Sequence, residues 1–189
     1  MKKLLVVAMA ALVCLAFAGL AYADLEGSSV AHVFVDVVPN VTIAPMASSI
    51  DLGDIQTGGI STGIVFRIDA NTEKVKLAAG ASQLYKGDCL TCTEVAPIPI
   101  SGGGILIEPE MANPVGGASP MASYIEGVVD INAGFKGQKT NFVEFESGQN
   151  NHFSQNVTIH PSWAQTDAEK PIGEYSGYVA IYAMVVPVQ

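Results

Sequence analysis

Side chains that alternate between apolar and polar at every second position are the feature of this sequence that most constrains its fold. The alternation is clear at Val33, Val35 and Val37 and again from Phe153 to His160. A two-residue period places one set of side chains on each face of a β-strand, whereas an α-helix requires apolar residues three and four apart. Gly and Pro, 19 and 10 of 189 residues, divide the alternating stretches into short pieces. The chain is therefore predicted to be all-β.

The alternation predicts nine or ten short strands in one domain. The clearest are residues 33–37, 64–69, 75–79, 96–100, 105–108, 124–131, 141–146, 153–160 and 175–186. The second and third flank the turn residues 69–72 and are expected to pair as a hairpin. Prolines lie within residues 96–100 and directly after residues 105–108. Both segments are therefore expected at sheet edges, where proline is tolerated. This number of short strands predicts an antiparallel two-sheet sandwich of the immunoglobulin-like kind, with a barrel as the alternative.

The first 23 residues are predicted to be a signal-peptide helix. Lys2 and Lys3 precede an apolar run, and Ala21-Tyr22-Ala23 is a small-x-small cleavage signal. A transmembrane anchor is the alternative, but the apolar run is short for a span. Residues 24–189 then form the mature domain, which is expected in the periplasm, at the cell surface or in the medium of a bacterium.

The charge of the mature chain excludes some partners. The whole chain has a net charge of −9, and loss of Lys2 and Lys3 leaves seven basic against 18 acidic residues, a net charge of −11. Nucleic acids and anionic lipids require a basic surface, so neither is expected as a partner. No second apolar stretch is long enough for a membrane span in the mature chain.

Cys89 and Cys92 are the two cysteines of the predicted mature domain. In an oxidising compartment such a near pair most often forms a disulfide that closes a loop. A thioredoxin-like site would need a helix after the pair, haem attachment would need a histidine at Thr93, and zinc would need a second ligand pair. The pair is therefore predicted to be a disulfide, and no cofactor is expected.

The three histidines, His32, His152 and His160, lie in no catalytic motif. None accompanies a nucleophile elbow or a metal-binding pattern, and each lies at a polar strand position or near a strand end. The protein is therefore predicted not to be an enzyme.

Two groups of residues with side-chain oxygen atoms are candidates for ligand binding. Asp69, Asn71 and Glu73 place oxygen atoms at alternate positions, as the start of a calcium loop does, but they also suit a turn. Glu144 and Glu146 lie on one face of a predicted strand, where they either bind a metal or sugar or form a solvated surface. We predict no metal site, with the first group as the residual candidate.

Trp163 is the one tryptophan and is predicted to lie in a loop near the closing strand. It either forms an aromatic shelf for a sugar ring or fills the end of the sandwich.

Both ends of the predicted domain are strands with unusual apolar character. In the closing strand, the residues on both faces of the strand are apolar. That strand must therefore be covered on both faces or present an adhesive surface. A strand at an open sheet edge can pair with a neighbouring chain. The candidates for such pairing are Val33, Val35, Val37, Val179, Ile181 and Val185.

Several segments of the sequence resemble bacterial pilin and spore-coat-protein-U subunits. They are the leader, the opening Val33-x-Val35-x-Val37 with Pro39-Asn40-Val41-Thr42-Ile43, Ile50-Asp51-Leu52-Gly53, and Pro171-Ile172-Gly173-Glu174-Tyr175-Ser176-Gly177-Tyr178-Val179. The resemblance implies a secreted β-sandwich that assembles into a homo-oligomer or fibre, with a periplasmic chaperone and an usher as partners.

The expected function is that of a structural or adhesive subunit of an extracellular bacterial assembly such as a pilus, fibre or coat. Copies would associate by β-strand pairing. The alternative is a secreted carbohydrate- or calcium-binding module that uses the loops around Asp69, Glu144 and Trp163.

Overall fold

The computed structural model describes residues 31–92 and 94–186, and the predicted leader lies outside this part. The predicted all-β class is confirmed, since the described chain is built from antiparallel strands and one short 3-10 helix, Val115–Gly117. The strands are β1 Val41–Pro45, β2 Gly58–Ser61, β3 Ile64–Ala70, β4 Lys74–Ser82, β5 Tyr85–Lys86, β6 Gly104–Pro109, β7 Asn113–Pro114, β8 Met121–Ser123, β9 Val129–Asn132, β10 Phe135–Lys139, β11 Val143–Glu146, β12 Phe153–His160, β13 Ser162–Gln165, β14 Tyr175–Ser176 and β15 Val179–Val185.

Two sheets pack against each other as a sandwich. Sheet one has the strand order β1-β3-β12-β6-β8. Sheet two is built around β4, which pairs with β15 along one side. The other side of β4 pairs with β11 along its first half and with β10 along its second half. Strands β7 and β9 lie outside β11 and β10, and two short ribbons, β2 with β13 and β5 with β14, complete the fold.

Alternating side chains of both sheets meet in one core. The side chains with less than 2% exposure include aromatic and branched residues from each sheet, as a close-packed interior requires. They include Ile68, Ile105, Ile107, Phe153, Val157 and Ile159 of sheet one, and Val75, Leu77 and Phe145 of sheet two. The compact unit begins at Val38. Within the described residues, no helix has the length and apolar character needed to cross a membrane.

The predicted hairpin of residues 64–69 and 75–79 is wrong in its pairing, although both strands are present. Strand β3 pairs with β1 and β12 in sheet one, whereas β4 belongs to sheet two. The turn between them, residues 71–73, carries the chain across the sandwich instead of back along the same sheet. Alternation determines which side chains face the core. The same alternation results whether two successive strands form a hairpin within one sheet or lie in opposite sheets, so the sequence pattern did not distinguish the two connections.

Other strand predictions were wrong in position. Residues 96–100 form two isolated bridges, Leu84 with Ile98 and Ile100 with Trp163. The predicted edge strand 105–108 is β6, which lies between β12 and β8. Of the predicted strand 124–131, residues 129–131 belong to β9, and Tyr124 forms an isolated bridge with Thr140. The closing strand is divided into β14 and β15.

Tyr124 provides a test of burial in the core. Its hydroxyl is buried with no hydrogen-bond partner in the described residues, and burial raises its pKa to about 12. Tyr124→Phe is expected to stabilise the fold by about 1 kcal/mol at neutral pH, because an unpaired buried hydroxyl is removed.

The pH dependence of the unfolding free energy checks the same residue. The phenol of the unfolded chain loses its proton near pH 10, before the folded phenol does, so the parent protein loses stability as pH rises from about 10 to about 12. The gap between Tyr124→Phe and the parent should therefore widen over that range in urea unfolding. A gap that stays constant with pH would contradict the burial of the phenol.

Candidate assembly surfaces

Strand β15 forms a long edge of sheet two. All seven residues, Val179–Val185, are in register with β4, and no other strand of the described chain pairs with β15. Its opposite side therefore presents backbone amide and carbonyl groups that have no strand partner in residues 31–92 and 94–186. Such a row is a template for the addition of another strand.

The sequence of β15 lacks the features that normally protect an edge. Charged residues, proline and short length usually prevent edge strands from pairing with other chains. Among the other edge strands, β1 ends in Pro45, β7 has two residues including Pro114, β8 has three residues, and β9 contains Asp130. Strand β15 reads VAIYAMV, with no charge and no proline, and of its seven residues Ile181 alone is buried. It is the longest apolar edge in the described chain.

The valine-rich segment, residues 32–38, is not a strand in this structure, so the predicted strand 33–37 is wrong for the single chain. Val33, Val35 and Val37 are 87, 84 and 79% exposed. A strand requires a neighbour for its backbone hydrogen bonds, and no described residue supplies a ladder to this segment. Its β-branched and aromatic residues nevertheless favour an extended conformation.

Asn71 anchors the chain where the valine-rich segment ends. Its side-chain nitrogen donates a hydrogen bond to the Val38 carbonyl oxygen at 2.9 Å, and its side-chain oxygen accepts one from the Asn40 amide at 2.6 Å. The amide that was a calcium-ligand candidate therefore holds residues 38–40 beside the turn after β3.

Asp69, the first calcium candidate, is engaged by neighbouring side chains. Arg67 donates to both carboxylate oxygens at 2.8–3.1 Å, and the Ser154 hydroxyl also donates to the carboxylate. The hydrogen bonds from Arg67 and then Ser154 lower the pKa of Asp69. Glu73, the third candidate, is half-buried and accepts a backbone hydrogen bond from Ser147. The described residues contain no group of three metal-ligating side chains.

Glu144 and Glu146 do lie on one face, and each is opposite a lysine of β4. The Lys76 amine lies 3.7 Å from Glu144, and the Lys74 amine lies 3.4 Å from Glu146. Register pairs Glu144 with Lys76 and Glu146 with Lys74, so the salt bridges follow from the ladder. We call these four residues the lysine–glutamate band.

Trp163 lies in β13, not in a loop, and is 2% exposed. Its indole nitrogen donates a hydrogen bond to the Ser82 carbonyl oxygen at 2.8 Å, which satisfies the buried polar atom. The residue fills the sandwich interior and is not positioned as a shelf for a sugar.

The histidines are not grouped. The His160 ring nitrogen lies 2.8 Å from a carboxylate oxygen of Glu108, and the His152 ring contacts the Asn150 carbonyl oxygen. His32 belongs to the exposed valine-rich segment. The Cys89–Cys92 disulfide is present, as predicted, in the loop after β5.

The outer face of sheet two, which points away from the core, carries a second group of apolar residues that the sequence analysis only partly anticipated. Tyr182 is in register with Ala78, which is fully buried although it lies outside the main core. The Lys139 amine lies 4.0 Å from the Tyr182 ring centre and 5.1 Å from that of Phe142. The even-numbered apolar residues of β15 thus cover small residues of β4 and remain partly exposed.

Comparison with protein-family models and with curated proteins found no match to the chain. The pilin-like resemblance therefore stays a prediction.

Proposed function

We propose that this protein is a structural subunit of an extracellular bacterial assembly and that its copies associate by β-strand pairing. In this proposal the valine-rich segment of one copy adds as a strand to the free edge of β15 in the next copy. Because donor and acceptor are different surfaces, the contact repeats head to tail and produces a fibre unless it closes into a ring.

The observation that carries the proposal is the unprotected edge of β15. Its seven residues match the length of the seven-residue segment 32–38, whose Val33, Val35 and Val37 are highly exposed. Pairing would satisfy backbone groups on both partners and remove these valines from water. Burial contributes about 25 cal/mol for each Å² of apolar surface.

A carbohydrate- or calcium-binding module remains the alternative function, but the residues assigned to it are engaged elsewhere. Asp69 is held by Arg67, Glu144 is paired with Lys76, and Trp163 is buried. No specific observation favours this second function.

We call this addition of the valine-rich segment to the next copy strand exchange. It is tested by deleting residues 24–38 from the mature chain. The mature chain is expected to form oligomers or fibres in size-exclusion chromatography and negative-stain imaging, and the deletion should abolish the fibres. Val35→Pro should do the same in the full mature chain, because proline removes a ladder donor. Val35→Ile is the matched control and should leave assembly intact.

Two results would count against strand exchange. Fibres that persist after the deletion would exclude the valine-rich segment as the donor. A mature chain that remains monomeric, and that gains thermal stability with calcium or a glycan, would favour the alternative function instead.

A further inference from the structure

The outer face of sheet two has a charge pattern that is complementary to itself. The lysines of the band lie in one row on β4 and the glutamates in a parallel row on β11. Their side chains are 30–43% exposed, so the band remains accessible to another molecule. The band therefore carries one row of each sign, side by side at matching heights along the strands.

A two-fold axis that runs between β4 and β11, parallel to the strands, exchanges the two rows. It preserves position along the strands, so Lys76 of one copy lies over Glu144 of the other, and Lys74 over Glu146. An axis across the strands would instead set lysines over lysines. Charge therefore selects one face-to-face orientation, because like charges in an interface are unfavourable.

The same axis brings apolar surface together. It lays the start of β15 in one copy over β9 of the other copy and the end of β15 over β7, since β9 and β7 lie outside β10 and β11 on the far side of the axis. Exposed apolar residues adjoin the band on this face: Met184 is 49% and Phe142 39% exposed. Tyr178, 42% exposed, lies beside Ser82 at the other end of β4. Apolar surface of this kind on a folded domain marks an interaction site.

We propose that a second copy of this chain docks on the outer face of sheet two to form a two-fold symmetric dimer. The partner is identified by the self-complementary band, which a second copy matches residue for residue. This contact uses neither the valine-rich segment nor the edge of β15, so it is independent of strand exchange and would join fibres side by side.

The test uses the full mature chain carrying Val35→Pro, which separates docking from strand exchange. This chain is expected to dimerise in sedimentation equilibrium. An all-acidic face (Lys74→Glu with Lys76→Glu) and an all-basic face (Glu144→Lys with Glu146→Lys) should each raise the dissociation constant at least about tenfold, because like charges then meet. Mixed in equal amounts, the two variants should form a heterodimer.

A variant with all four substitutions is the matched control. It exchanges the two rows, keeps opposite charges within and between copies, and should dimerise like the parent. The proposal is overturned if the Val35→Pro chain is monomeric, if either single-sign face dimerises as well as the parent, or if the mixture forms no heterodimer. Persistence of fibres in the Val35→Pro chain would contradict strand exchange but not face-to-face docking. Mixing the all-acidic and all-basic variants reports only on contacts of the outer face of sheet two.

Discussion

Gly104→Ala is expected to destabilise the domain by about 3 kcal/mol or more. Gly104 opens β6 and is in register with Ser123 of β8. An added Cβ would lie 2.8 Å from the carbonyl carbon of Ala122 and 3.0 Å from the Cα of Ser123, and closer still to the Ala122 carbonyl oxygen. These are backbone atoms, so the clash is relieved only if β8 moves away from β6.

Gly103→Ala is the matched control, because a Cβ at Gly103 would meet no atom within 4 Å. Its stability should stay within about 0.5 kcal/mol of the parent. Urea unfolding of both variants in the Val35→Pro chain measures the difference without interference from fibres. Equal midpoints for the two variants would contradict the close approach of β6 and β8.

The two-residue alternation predicted well which side chains of a strand face the core, but it predicted poorly which strands pair with each other. Residues 153–160 are the strand β12, and the predicted inward residues Phe153, Val157 and Ile159 are all fully buried. Pairing depends on contacts between residues far apart in sequence, which alternation does not encode. The close approach at Gly104 is invisible for the same reason, since the Gly102–Gly104 run also suits a flexible loop.

The candidate surfaces were partly predictable. The apolar character on both faces of the closing strand indicated an adhesive element, and β15 forms a long open edge of sheet two. For the lysine–glutamate band, the sequence predicted only that Glu144 and Glu146 share one face. Lys74 and Lys76 belong to the band because of the register of β4 with β11, which the sequence does not reveal. The sequence could not decide whether Trp163 is buried or exposed, because its environment includes Ser82, 81 residues earlier in the chain.

Phe145→Ala is expected to lower the free energy of unfolding by about 3–5 kcal/mol. Phe145 lies in β11 opposite Val75, and both side chains are fully buried in the core between the sheets. Truncation removes the apolar contacts of the ring and leaves a cavity that the surrounding strands fill only partly. Urea unfolding of the Val35→Pro chain, with and without Phe145→Ala, measures the loss.

Phe142→Ala is the matched control three residues earlier. Phe142 is 39% exposed on the outer face of sheet two, beside Lys139. At protein concentrations where the chain is monomeric, its truncation should change the unfolding free energy by less than about 1 kcal/mol. At higher concentrations it should weaken face-to-face dimerisation, because the ring adjoins the lysine–glutamate band. The pair thus separates folding from association. If Phe142→Ala were as destabilising as Phe145→Ala, its ring would belong to the fold's core, and the apolar part of the proposed dimer surface would be lost.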